Sequence, residues 1–97
     1  MLIARVIGRI EARIRLEDFQ AQRFLVLQPL DFELKPIRWT TVAVDVISAR
    51  EGDVVLFEEG REAANPFTDP ILAVDATVVG IVDEFDFEDR HVVAEPM

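Results

Sequence analysis

In residues 4–16 the even positions are Ala4, Val6, Gly8, Ile10, Ala12, Ile14 and Leu16, while Arg5, Arg9, Glu11, Arg13 and Arg15 take odd ones. A period of two predicts a half-buried strand with the arginines on one face. Residues 23–28 are almost uniformly apolar, as a strand covered on both faces requires, and Pro29, which has no N–H, is expected to end the run. Residues 31–35 read as a turn. Beyond Pro36 a third strand is expected over 37–47, where Val42, Val44 and Val46 alternate with Ala43 and Asp45. A polar break at 48–53, carrying Gly52, leads into a fourth strand over 54–58. Helix formers at 60–65 allow about one turn before Pro66 stops it. The last strand is predicted over 76–87, and residues 91–97 are patterned weakly enough to fray.

Strands with glycines at 8 and 80, one short helix and few residues to spare predict an all-β fold: a small antiparallel barrel of five strands, of the oligonucleotide-binding (OB-like) type. Closure removes the sheet edges that would otherwise pair promiscuously. Gly8 and Gly80 are expected to mark sharp bends where a Cβ would collide with a neighbour. A two-sheet sandwich is the alternative architecture.

Length adds the domain count. Ninety-seven residues close one core, so the whole of 1–97 is read as a single domain, with about 90–97 as its frayed tail. Apolar residues make up 51% of so short a chain, more than it can bury alone, which points to subunit contacts. There is no cysteine, so disulfides and thiolate metal sites are excluded, and no apolar run reaches the length of a membrane span. The N-terminal arginines are interleaved with apolar residues, unlike a signal peptide. A cytoplasmic protein without membrane contact is expected. The net charge of −9 opposes a phosphate backbone, so no nucleic-acid partner is expected.

Candidate chemistry is sparse. Asp45 and Asp75 share an Ala-Val-Asp setting and could form an acid–base pair, but a carboxylate at a strand end more often accepts backbone N–H groups or meets an arginine. Residues 83–89 hold five acids without the glycine and spacing of a calcium loop; alternation instead puts Glu84, Asp86 and Glu88 on one face and Phe85 and Phe87 on the other. His91 is the only histidine, with no partner constellation in sequence. Trp39 and the phenylalanines suit packing better than base stacking on so acidic a chain. No catalytic residue, cofactor or metal site is expected. The arginines Arg5, Arg9, Arg13 and Arg15 form the basic stripe, suited to an acidic neighbouring protein surface.

Several short segments follow one another in a recognisable order: Val6-x-Gly8-x-Ile10, then residues 25–31 (LVLQPLD), Val42-Ala43-Val44-Asp45, Gly52-Asp53-x-Val55-Leu56, and residues 74–83 (VDATVVGIVD). Together they resemble the vertex proteins of bacterial microcompartments and carboxysomes. The resemblance implies a non-enzymatic barrel that assembles as homopentamers at the five-fold corners of a protein shell, beside hexameric shell proteins of another fold. It also implies that residues 48–51 surround the five-fold axis, making Ser48, Ala49, Arg50 and Glu51 the candidate axial turn. The stripe Arg5, Arg9, Arg13 and Arg15, with Asp45 and Asp75, supplies candidate subunit or shell contacts. Five Arg50 side chains would repel one another at the axis unless Glu51 or a bound anion lay between them. Two segments depart from the family: Ser48-Ala49-Arg50 stands where it has Gly-Ala-Gly, and Gly60-Arg61-Glu62-Ala63-Ala64 where it has Gly-Ser-Ser-Ala-Arg. Non-glycine residues in the first imply an altered or strained turn. The alternative function is a barrel that binds an oligonucleotide or oligosaccharide.

Overall fold

The computed structural model describes residues 1–14, 20–60 and 76–97, and for 12–14 and 20–22 the backbone only. Its strands are β1 (Leu2–Ile14), β2 (Gln20–Leu30), β3 (Thr41–Asp45), β4 (Val54–Glu59), β5 (Ala76–Ile81), β6 (Glu84–Phe87) and β7 (Arg90–Val93). The first five close into a barrel in the order β1-β2-β3-β5-β4, with β1 returning to β4. The closed barrel is as the alternation predicts, with one difference: β3 and β5 run parallel, pairing Val44 with Thr77 and Asp45 with Val78. The described residues contain no α-helix; the short helix expected over 60–65 lies, beyond Gly60, outside them.

Alternate residues of each strand fill the interior. Ala4 and Val6, Leu25 and Leu27, Val55 and Phe57, and Ala76 and Val78 pack together with Ala43 and Ala49. Burying a side chain such as Phe57 or Leu27 stabilises the fold by about 1.5–3 kcal/mol each. A second cluster, Ile3, Leu30, Val54 and Ala94, sits between the barrel and the C-terminal segment, with Leu34, Leu56, Val82 and Phe85 against it.

The pattern misplaced several boundaries, each for a local reason. Strand β2 continues through Pro29 to Leu30. Only Phe24–Leu27 pair with β3, so at Pro29 the outer side of β2 has no ladder to lose a donor from, and the Pro29 carbonyl accepts the Ile37 N–H at 3.2 Å. Strand β3 ends at Asp45 because the Asp45 carboxylate draws the next amides into a turn. The strand expected over 76–87 is two strands, broken at Val82–Asp83 where the chain leaves the barrel to form the β6–β7 hairpin. Residues 90–97 do not splay away. Strand β7 pairs with β6, the Ala94 N–H reaches the Asp83 carbonyl at 2.9 Å, and the Met97 N–H reaches the Gly52 carbonyl at 3.2 Å.

Both predicted bends coincide with register shifts, between Val6 and Gly8 in β1 and beside Gly80 at Leu56/Phe57 in β4. Within the chain, however, no collision enforces either glycine. A Cβ on Gly8 would come no nearer than 3.6 Å to Val26, and one on Gly80 no nearer than 3.7 Å to Leu56. The bulge in β1 has a larger consequence. Paired residues of an antiparallel ladder point to the same side. Arg5 lies opposite Gln28 and Val6 opposite Leu27, but after the bulge Arg9 lies opposite Leu25. Leu25 and Leu27 both face the interior, so Arg9 is on the interior side of the sheet and Arg5 on the other. The expected one-face arginine stripe is therefore split by one inserted residue.

Candidate functional site

One mouth of the barrel is closed by a pair of charges. The β2–β3 ladder ends at Phe24 opposite Val44, and one step further Arg23 and Asp45 continue the inward rows of Leu25–Leu27 and Ala43. Arg23 Nε lies 3.3 Å from Asp45 Oδ2; the Asp45 side chain is fully buried and that of Arg23 is 34% exposed. Those two atoms have no other partner among the described residues. The other carboxylate oxygen accepts the N–H groups of Ile47 at 3.1 Å and Ala49 at 3.3 Å, while Arg23 Nη2 donates to the Ala49 carbonyl at 3.0 Å. Asp45 thus nucleates the turn after β3 and Arg23 holds the turn down. Ala49 is fully buried beneath it.

The rest of the turn is held by its backbone. Ser48 has φ 61°, the left-handed conformation in which a side chain is strained, whereas Ala49 and Arg50 do not. The strain expected of a non-glycine turn therefore falls on Ser48 alone. Arg50 N–H donates to Asp53 Oδ2 at 2.9 Å, and Asp53 N–H returns to the Arg50 carbonyl at 3.1 Å. Gly52 sits inside that reversal at φ 93°. Its N–H donates to the Val6 carbonyl at 2.8 Å, and Val6 N–H donates to the Asp53 carbonyl at 2.8 Å, so the turn is laced to β1. The Gly52 carbonyl accepts Arg5 Nη1 at 2.7 Å, and the same nitrogen reaches the Glu95 carbonyl at 2.9 Å. A Cβ on Gly52 would overlap the Met97 backbone carbonyl and lie 3.0 Å from the Met97 nitrogen.

Over this mouth lies a groove of about 510 Å³ lined by Arg9, Arg23, Arg50 and Glu51. The candidate residues are thereby sorted. Arg9 and Arg50, apart in sequence, meet with Glu51 at one surface, and Ala49 and Asp45 lie beneath it. Ser48 is exposed on the turn. Arg5 is on the opposite side of β1, committed to carbonyls of the chain itself. The side chain of Arg13, and Arg15 and Asp75 entirely, lie outside the described residues. Asp45 has one oxygen hydrogen-bonded to the turn and the other in ion-pair contact with Arg23, and its side chain is fully buried beneath the turn.

Sequence reading missed the role of Arg23 and the close contact at Gly52. Arg23 was legible in principle, since Arg23-x-Leu25-x-Leu27 and Ala43-x-Asp45 put opposite charges at the ends of two inward-facing rows. Gly52 was not, because what it accommodates is the end of the chain.

Similarity to known proteins covers the same parts. Residues 1–83 match the family described as ethanolamine utilisation protein EutN/carboxysome, a span that includes the barrel and the mouth and stops before the β6–β7 hairpin. The bacterial microcompartment shell vertex protein EutN of Salmonella typhimurium is 32% identical over 84 residues, covering 87% of this chain and 85% of EutN. The structure of Gloeobacter violaceus CcmL superposes with a TM-score of 0.82 at 29% identity, covering 99% of this chain and 97% of CcmL. GrpN of Rhodospirillum rubrum, a pentameric microcompartment shell protein, superposes with a TM-score of 0.75 at 31% identity, covering 90% of this chain and all of GrpN. The chain belongs to the EutN/CcmL family.

Proposed function

We propose that this chain is a shell subunit whose homopentamers cap the five-fold vertices of a bacterial microcompartment. The observation that carries the reading is the family match over the whole barrel, joined to the likeness to GrpN, whose structure is pentameric. The exposed apolar residues support it from another side. Ile7, Ile10, Ile37, Val42 and the 91%-exposed Trp39 leave apolar surface that an isolated chain of this size has no use for.

In this reading the protein works by shape and contains no catalytic centre. The axial turn is residues 48–51, hexameric shell proteins surround each pentamer, and the compartment shell within the cytoplasm is its location. Each pentamer carries 5 × (−9) = −45 formal charges, so five Arg50 side chains form a local positive ring on an acidic body. That acidity also weighs against the alternative of oligonucleotide binding.

Native mass spectrometry tests the assembly. Five chains of 11.0 kDa give about 55 kDa. A single chain, or a multiple other than five, across the accessible concentrations overturns the pentamer. An image of the assembly with Arg50 on the outer rim removes the axial assignment and leaves the pentamer standing.

A further inference from the structure

We propose that the groove at the barrel mouth binds a polyvalent oxyanion, a phosphate or polycarboxylate group, between Arg9, Arg50 and the exposed edge of Arg23. This assignment does not depend on five-fold symmetry, because all three arginines belong to one chain.

Most of the described arginine side chains are already occupied. Arg5 is bonded to two carbonyls, Arg38 is paired with Glu59 at 2.6 Å, and Arg90 with Glu33 at 3.3 Å. Arg23 is neutralised by Asp45 from below. Arg9 and Arg50 alone among the described arginine side chains make no hydrogen bond or ion pair, and both line this groove. On a chain of net charge −9, two unpaired guanidinium groups at one site are opposed to the general field of the molecule. Glu51 is the single carboxylate in the lining and makes no ion pair either, so the groove keeps a positive excess.

The groove is also pre-organised. Arg23 is fixed by Asp45 and the Ala49 carbonyl, and the backbone of Arg50 is clasped by Asp53. The bulge in β1 is what turns Arg9 toward the mouth and away from Arg5. Planar guanidinium forks brought to one groove from a strand and a turn suit an oxyanion with several oxygens more than a halide or a monocarboxylate. The oxygens could come from a free metabolite or from carboxylates of a neighbouring copy; the chemistry is the same.

The test uses the full chain at low ionic strength with chloride as the only other anion, titrated with inorganic phosphate and with citrate by calorimetry or amide chemical shifts. Saturable binding is expected, weakened about tenfold by Arg9→Gln and by Arg50→Gln. Arg38→Gln, at a paired arginine elsewhere, leaves it unchanged. Both side chains are exposed and unpartnered in the single chain, so the variants keep the parent's far-ultraviolet circular dichroism, and Arg50→Lys, which retains charge without the fork, binds with intermediate affinity. Native mass spectrometry on the same samples separates the sources. Binding to the intact assembly identifies a free anion. Binding only to diluted, dissociated chains, with Arg9→Gln and Arg50→Gln weakening assembly, identifies a neighbour's carboxylates. If neither form binds phosphate or citrate and the variants assemble like the parent, the proposal fails. It fails equally if binding is the same in all variants. Either failure leaves the mass of the assembly, and so the vertex reading, untouched.

Discussion

The turn after β3 and the β6–β7 hairpin are both short, charge-rich reversals, yet they are held by different forces. In the turn, the fully buried side chain of Asp45 binds Arg23 and two amides, and Gly52 ties the backbone to β1 and to Met97. In the hairpin, the charges are outside. Arg90 and Glu33 are 52% and 46% exposed, and His91 faces Glu84 and Asp86 from solvent. What anchors the hairpin is its other face, where Phe32 lies 6.0 Å from Phe85 and 5.0 Å from Phe87 between ring centroids. Comparable charge content therefore does not mean comparable electrostatic stabilisation. Low dielectric and fixed geometry amplify the first set, and water screens the second.

The largest effect should come from Gly52, where the turn meets the segment that follows the hairpin. Gly52→Ala forces a side chain into φ 93° and against Met97, so a loss of at least about 3 kcal/mol is expected, roughly 10 °C or more in melting temperature. Removing Pro96 and Met97 from the same variant should recover the steric part and leave the backbone strain. A loss below about 1 kcal/mol would mean that the chain end does not pack on the turn.

Charge removal then compares the regions directly. Asp45→Ala deprives Arg23 of its ion-pair partner and two amides of their acceptor and should cost about 2–3 kcal/mol, below the usual range for a broken buried pair because Arg23 is partly exposed. Glu33→Ala, which removes the exposed partner of Arg90, should cost less than about 1 kcal/mol. Urea denaturation of both variants measures the ratio. Equal losses would break the distinction between a buried and a solvated charge.

This contrast also explains what could be read from the chain beforehand. Period-two alternation put Val6 on the apolar row of β1, but the near-continuous apolar runs of β2 and β4 could not tell Leu25, Leu27, Val55 and Phe57 from their neighbours. Over 42–46 the valine row that stood out leaves Val42 and Val46 exposed while Ala43 is inside. Nor could alternation foresee the inserted residue at the β1 bulge, which moves Arg9 across the sheet without altering the local pattern. The alternation of Phe85 and Phe87 against Glu84 and Asp86 also holds, with the phenylalanines facing Phe32. The strand break before them was hidden, since a change of pairing partner leaves composition intact. Glycines misled in an instructive way. Gly8 and Gly80 stood out inside strands but would accept a Cβ, whereas Gly52, in an unremarkable turn, has the backbone of a distant residue against it. Contacts made by the chain end carry no local signature.

The smallest effect, on the solvated side, is one of titration. His91 Nδ1 lies 2.8 Å from Asp86 Oδ1 and Nε2 lies 3.3 Å from Glu84 Oε2, so only the imidazolium can donate to both. The hydrogen bond to Asp86 is the main reason its pKa is raised above the ordinary 6.5, with Glu84 adding to it and partial desolvation opposing. A raised folded-state pKa gives a contribution that is complete below the unfolded value and disappears as pH rises through the folded one. The hairpin should therefore be tightest below the ordinary 6.5 and loosen slightly as pH rises through the raised value, with no measurable change in the barrel. Following the His91 ring protons by NMR should give a midpoint above 6.5, and Asp86→Asn should lower it further than Glu84→Gln does. Amide protection over residues 84–93, corrected for the base catalysis of exchange itself, should follow the same midpoint, while that of residues 41–45 stays flat. A midpoint at or below 6.5, or a barrel that responds along with the hairpin, would show that His91 is not held by the two carboxylates as the geometry has it.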